Sequence, residues 1–344
     1  MGRDIFHFLS GFPFHLTWII KSQSQLEKEK ERWMRKKNRN QKIINDSGIK
    51  QKPEATSINF SNELGLLSDC DLVIESISED FRKKSELFAE LGFIIRPDTI
   101  VATNTSSISI RSLIPNSAWK SRFVGLHFFY PVKFKNLVEV NILPETSGLT
   151  IEVISGLLNG LHRKFLLFDE VNHFLMNRLF LPVQAEAYTI HKEEKIPYKL
   201  LDDLAKDILF PDGIFSFFDQ VGIDVMYNSV TNYLSFYEDK PFLKPLADKL
   251  REMKDNDRLG IKNGLGFFNY KDERSPETSL PEESIDKLKQ NHICDRLIRS
   301  YLTTIFETNE KGILNQKDLE YILKEYTGIG KSPFELAKEI GFTL

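Results

Sequence analysis

The pattern of apolar and polar positions divides the chain into a strand-rich first part and a helix-rich remainder. Residues 5–10 read as the middle of a helix with one apolar face. Gly11 and Pro13 stop it, and 15–20 follows as a short strand. Residues 23–38 make a highly charged helix. The run D-L-V-I-E-S-I at 71–77 is a buried strand, 81–93 has helical periodicity, and 99–103 and 123–128 are two more strands. Strands alternating with helices predict a mostly parallel sheet covered on both faces. Beyond Thr150 the pattern is almost wholly helical, as in 174–192, 199–209 and 223–237, so a domain boundary is predicted between Glu145 and Lys164.

The helical part echoes itself. His173 opens H-F-L-M-N-R-L and His292 opens H-I-C-D-R-L, and each stretch closes on a phenylalanine-led helix at nearly constant offset. This predicts a second, partial helical repeat over 276–344, behind a helical domain at 149–275 and an α/β domain at 1–148.

Composition narrows the function classes. A chain of 344 residues with 41% apolar and 28% charged residues is an ordinary globular protein, long enough for about two domains. The formal charge of −3 gives no global attraction to nucleic acid or an anionic membrane. A basic stretch, 32–42, could be a nucleic-acid arm. Glu27, Glu29 and Glu31 alternate just before it, which favours a solvated helix face. Cys70 and Cys294 lie far apart and form neither a disulfide framework nor a metal spacing, which suits a reducing compartment. Asp4, His7, Pro13 and His15 interrupt the apolar start, so no signal peptide is read there. No run approaches the roughly 18 apolar residues of a membrane span. A cytoplasmic protein without a metal site is expected.

Four segments carry candidate chemistry: A-T-N-T-S-S at 102–107, G-L-H-F-F-Y-P at 125–131, L-V-E-V at 137–140 and M-N-R-L at 176–179. Taken singly, each has a plain reading. His127 among Leu126, Phe128 and Phe129 is a core histidine. Glu139 points outward from an edge strand, and Asn104 and Ser106 are turn or capping residues. Asn177 attracts no notice.

Together these segments closely resemble the 3-hydroxyacyl-CoA dehydrogenases, whose pattern reads S-N-T-S-S, G-L-H-F-F-N-P, L-V-E-V and V-N-R-L. The resemblance continues through E-D-F-R-K-K at 79–84, F-P-D-G-I-F at 210–215, D-Q-V-G-I-D at 219–224 and L-G-I-K-N-G-L-G-F-F-N-Y at 259–270. It implies a Rossmann-like doubly wound sheet followed by an all-α domain. The implied reaction is oxidation of (S)-3-hydroxyacyl-CoA to 3-oxoacyl-CoA with NAD as acceptor, as in fatty-acid β-oxidation. His127 is implied as the base and Glu139 as the group fixing its tautomer. Ser106 and Asn177 would hold the substrate oxygen, bringing residues of both domains into one cleft. Gly2, Glu79, Lys84 and Asn104 fall at cofactor-side positions. A homodimer, or a partner in a β-oxidation complex, is implied as the assembly.

Departures from the pattern keep a second reading open, a non-catalytic relative that binds acyl-CoA or a protein partner. Met1–Gly2 matches the end of the G-x-G-x-x-G loop, so the first strand and first two glycines are expected to be missing. Loss of that strand would expose the edges of two others. Ile20 stands where an acidic residue normally binds the ribose, and Lys21 beside it would suit a 2′-phosphate. Tyr130 replaces an asparagine, Ile214 a proline, and the 169–174 segment lacks the family's proline and glycine.

Overall fold

A computed structural model describes residues 1–47, 54–169, 174–206, 208–234, 241–271, 286–328 and 331–343. The changed positions 170–173 lie outside them. Two compact units emerge, one of Met1–Thr105 with Ser109–His173, the other of Ser106–Ile108 with Phe174–Leu344.

The first unit is α/β. It opens with helix α1 (Gly2–Leu9), strand β1 (His15–Ile19), the long helix α2 (Gln23–Ser47) and strand β2 (Ser57–Ser61). Then come β3 (Leu72–Glu75), α3 (Phe81–Leu91), β4 (Ile100–Thr103), the short α4 (Ile110–Leu113), β5 (Phe123–Phe128), β6 (Leu137–Asn141), α5 (Gly148–Gly160) and β7 (Lys164–Phe168). The strands form two sheets, β1-β2 and β3-β4-β5-β6-β7. All pairings are parallel except β5 with β6. Among the described residues β1 pairs only with β2 and β3 only with β4, so each has one open edge.

Strands β4, β5 and β6 are buried along their whole length, which is why apolar residues occupy both of their faces rather than alternate positions. Helix α1 serves both sheets. Ile5 enters the core of the larger sheet with Ala102, Leu126 and Val140, while the ring of Phe6 stacks on Trp18 of β1 at 4.6 Å. In α2, Arg32 pairs with Glu29 and Arg35 with Glu31 along the helix, and Arg3 also reaches Glu29. The first two cations of its basic stretch are thus paired with acids one turn earlier on the same helix.

The predicted boundary at 148/149 falls too early. Strand β7 continues the sheet beside β6, with Leu137 opposite Lys164 and Asn141 opposite Phe168, and this draws α5 and β7 into the first unit.

The second unit is helical: α6 (Leu175–Glu194), α7 (Tyr198–Lys206), α8 (Ile214–Val221), α9 (Ile223–Leu234), α10 (Lys244–Asp255), α11 (Lys287–Glu310), α12 (Gln316–Thr327) and α13 (Pro333–Ile340). Within the stretch expected as a second, partial helical repeat, 276–344, α11 packs along α6, and both belong to one compact unit. Arg296 on α11 bonds Glu186 at 2.7 Å and Glu194 at 2.9 Å on α6, and Phe180 lies between Tyr301 and Tyr326. The two echoing stretches both run as one long helix followed by two shorter ones. Among the described residues no helix is long and apolar enough to cross a membrane.

Candidate active site

His127 and Glu139 face each other across the antiparallel pair β5–β6. Directly opposed residues on one face bring their side chains together, and here the His127 Nδ1 lies 2.7 Å from Glu139 Oε2. The Glu139 side chain has no exposure and that of His127 keeps 7%. A carboxylate only accepts, so the Nδ1 of a neutral ring carries the proton and Nε2 is the basic nitrogen. Phe129 packs on the ring with centroids 4.5 Å apart. The outward-pointing reading of Glu139 fails because β6 is an interior strand, flanked by β5 and β7.

A second polar cluster closes the C-terminal ends of β3 and β4, the region where open α/β sheets bind ligands. Glu75, the last residue of β3, holds the Lys84 ammonium with both oxygens, at 2.7 and 2.9 Å. The same carboxylate accepts from the Ile77 N–H and the Thr103 hydroxyl, each at 2.6 Å. Glu79 lies 3.5 Å from Lys84 Nζ and accepts from Thr105 at 2.6 Å. A buried ammonium and carboxylate are tolerable only with such saturation. Asn104 follows β4, and its Oδ1 accepts the Phe128 N–H at 2.9 Å, tying this cluster to the strand that bears His127. Lys84 is 1% exposed, so its charge is spent inside the protein on Glu75 and Glu79.

The fit of these strand ends to a dinucleotide is mixed. Gly2 begins α1 beside Ser76, where an added Cβ would stand 3.4 Å from the Ser76 Cβ. Among the described residues the buried Ser76 hydroxyl has no hydrogen-bond partner, which leaves it free to meet a ligand or a water. Those features, with Glu79 and Asn104, suit a nucleotide. The ribose position does not match, since Ile20 occupies the end of β1.

In the helical unit, Asn177 on α6 donates from Nδ2 to the Ser106 carbonyl at 3.1 Å. The Tyr233 hydroxyl donates to the same carbonyl at 2.7 Å, and Asn232 bonds the Ser107 hydroxyl at 2.8 Å. Sequence reading had found Ser106 and Asn177 but not Tyr233, Asn232, Thr103, Thr105 or Glu75. Of these only Glu75 left a signal, a carboxylate at the end of the apolar run L-V-I-E. Among the described residues no group of three metal-ligating side chains occurs.

A mostly parallel sheet with a polar nucleotide-type end, a strand-borne histidine–glutamate pair and a helical second unit together define a nicotinamide-dependent dehydrogenase. Residues 1–171 match the family description "3-hydroxyacyl-CoA dehydrogenase, NAD binding domain", and 174–270 match its C-terminal domain. The chain belongs to the 3-hydroxyacyl-CoA dehydrogenase family. It is 33% identical over 215 residues to a probable 3-hydroxybutyryl-CoA dehydrogenase of Deinococcus radiodurans, covering 62% of this chain and 76% of that one. It is 29% identical over 254 residues to the mitochondrial hydroxyacyl-coenzyme A dehydrogenase of Mus musculus, covering 74% and 80%. The crystal structure of (S)-3-hydroxybutyryl-CoA dehydrogenase from Ralstonia eutropha superposes with TM-score 0.65 at 25% identity, over 79% of this chain and 96% of that one. The Escherichia coli K12 3-hydroxybutyryl-CoA dehydrogenase shares the fold over 99% of this chain and 89% of that one, with TM-score 0.76 at 18% identity.

Proposed function

We propose that the chain oxidises (S)-3-hydroxyacyl-CoA to 3-oxoacyl-CoA with NAD, in the cytoplasm and in the service of fatty-acid β-oxidation. The contact of 2.7 Å between His127 and Glu139 carries this reading. Oxidising a secondary alcohol removes a proton from oxygen and a hydride from carbon. Bound NAD supplies the hydride acceptor. His127 takes the hydroxyl proton on Nε2 as the carbonyl forms, and later releases it to water. Glu139 holds the ring in the productive tautomer and stabilises the imidazolium that results. Ser106 and Asn177 are assigned to the substrate oxygen, and Gly2, Glu79 and Asn104 to the cofactor. Lys84 is assigned to the cofactor through Glu79, whose carboxylate it holds. The chain works as a homodimer or beside a β-oxidation partner, and sedimentation of the purified protein decides between them.

Oxidation of NADH by acetoacetyl-CoA tests the reading directly. Turnover is expected, falling about 10²–10⁴-fold in His127→Ala. Binding of acyl-CoA without turnover would instead favour the non-catalytic relative, the reading motivated by Ile20, Tyr130 and the altered 169–174 segment.

A further inference from the structure

The end of β1 points to the nucleotide preference of the protein. In dinucleotide-binding sheets, an Asp or Glu at the end of the strand after the glycine-loop helix bonds the ribose 2′-hydroxyl. A cation nearby accommodates a 2′-phosphate instead. The carboxylate therefore selects twice, attracting NAD and repelling the phosphate of NADP. In this chain α1 leads into β1, and Ile20 directly follows the last residue of that strand, its N–H donating to the Ser61 carbonyl at 2.8 Å. Ile20 is 9% exposed and apolar. From His15 to Leu26 there is no Asp or Glu at all.

Serine and amide side chains meet at this corner, with one carboxylate, Glu27, a turn into α2. Ser22 bonds Ser24 at 3.1 Å, and Asn62, just after β2, reaches Gln23 on α2 at 3.1 Å. Glu27 accepts from Gln23, and Glu29 is taken up by Arg3 and Arg32. Lys21, exposed and adjacent to Ile20, is the charge at the strand end. The strand end itself thus lacks the carboxylate that would attract a 2′-hydroxyl and repel a 2′-phosphate, and Lys21 adds a cation there.

We propose that Ile20 and Lys21 form a specificity-determining pair that admits NADP(H) alongside NAD(H). This rests on the dehydrogenase reading only for the location of the cofactor. Titration of the full chain with NADH and with NADPH, followed by nicotinamide fluorescence in the absence of acyl-CoA, measures it without turnover. The two dissociation constants are expected within about tenfold of each other. Lys21→Ala should weaken NADPH by about three- to fivefold and leave NADH unchanged, as befits an exposed charge. NADPH affinity should also fall more steeply with salt. Ile20→Asp should move the ratio toward NADH by about a hundredfold. Should that buried substitution prevent folding, Lys21→Glu at the exposed neighbour should move the ratio the same way by about tenfold. Binding of NADH more than about a hundredfold tighter than NADPH by the native chain overturns the proposal. An unchanged ratio in Lys21→Glu does the same. Those results leave the dehydrogenase reading standing, whereas binding of neither dinucleotide removes both. Binding of both without turnover of acetoacetyl-CoA removes the dehydrogenase reading alone.

Discussion

In the α/β unit the buried carboxylates of Glu75 and Glu139 meet ionisable side chains, Lys84 and His127. In the helical unit those of Asp202 and Asp219 meet backbone N–H groups and hydroxyls instead. Asp202 accepts from Phe215 N at 2.7 Å, Ser216 N at 2.9 Å and the Ser216 hydroxyl at 2.7 Å, capping α8 from the neighbouring helix α7. Gly213 lies beside it at φ +80°, where a Cβ would come within 2.6 Å of the carboxylate. Asp219 accepts from Phe267 N at 2.8 Å, Phe268 N at 2.9 Å and the Tyr270 hydroxyl at 3.1 Å. The same burial therefore serves two ends. A carboxylate facing an ionisable partner controls where a proton or a charge resides, whereas one facing amides fixes the path of the chain.

Three substitutions sharpen the contrast. The largest effect is expected from Glu139→Gln. Its amide would donate to His127 Nδ1, placing the ring proton on Nε2 and disabling the base. kcat for 3-hydroxybutyryl-CoA oxidation should fall about 10²–10⁴-fold, and an effect under tenfold would mean that Glu139 does not set the tautomer. Asp202→Ala should leave three converging donors without an acceptor and cost about 3–5 kcal/mol in denaturant unfolding. Turnover per folded molecule should be unchanged, and a drop in kcat there would erase the distinction between the two pairs of acids.

The smallest effect concerns pH. Burial lifts the Asp219 carboxyl from 3.8 to about 6, outweighing the hydrogen bonds that favour its charged form. Between those values the unfolded chain has lost a proton that the folded chain keeps, so this group's contribution is full at the acid end and fades as pH rises through about 6. Asp219→Asn removes the titration. The stability of the native chain minus that of the variant should therefore decline by roughly 2 kcal/mol between about pH 4 and 6.5. A flat difference in urea unfolding over that window would show that the carboxyl titrates normally.

The sequence revealed the elements whose burial is complete. β4 and β5 carry apolar residues on both faces, and the L-V-E-V strand exposed its one acid by contrast. Strand β2, with S-I-N-F-S, and β7, with K-F-L-L-F, were passed over because each is short and only partly buried. Missing β7 is what moved the predicted boundary from His173 to 148. The histidine–glutamate pair was legible because its strand partners are set by register, as was Asn177 by resemblance. The Glu75 cluster was not, because nothing in the spacing of Glu75, Lys84, Thr103 and Thr105 says that a turn folds them onto one carboxylate. Tyr233 and Asn232 lie far along the chain from the carbonyl and hydroxyl they bond, and only tertiary packing reveals them.

The two-stranded sheet β1–β2 is too small to persist in water unaided. Its attachment runs through Phe6 of α1, whose ring meets Trp18, Trp33 and Phe60 at 4.6, 5.3 and 5.3 Å. One aromatic residue thus works as a rivet for the whole β1–β2 corner. That corner should be the first part of the α/β unit to loosen and the last to settle.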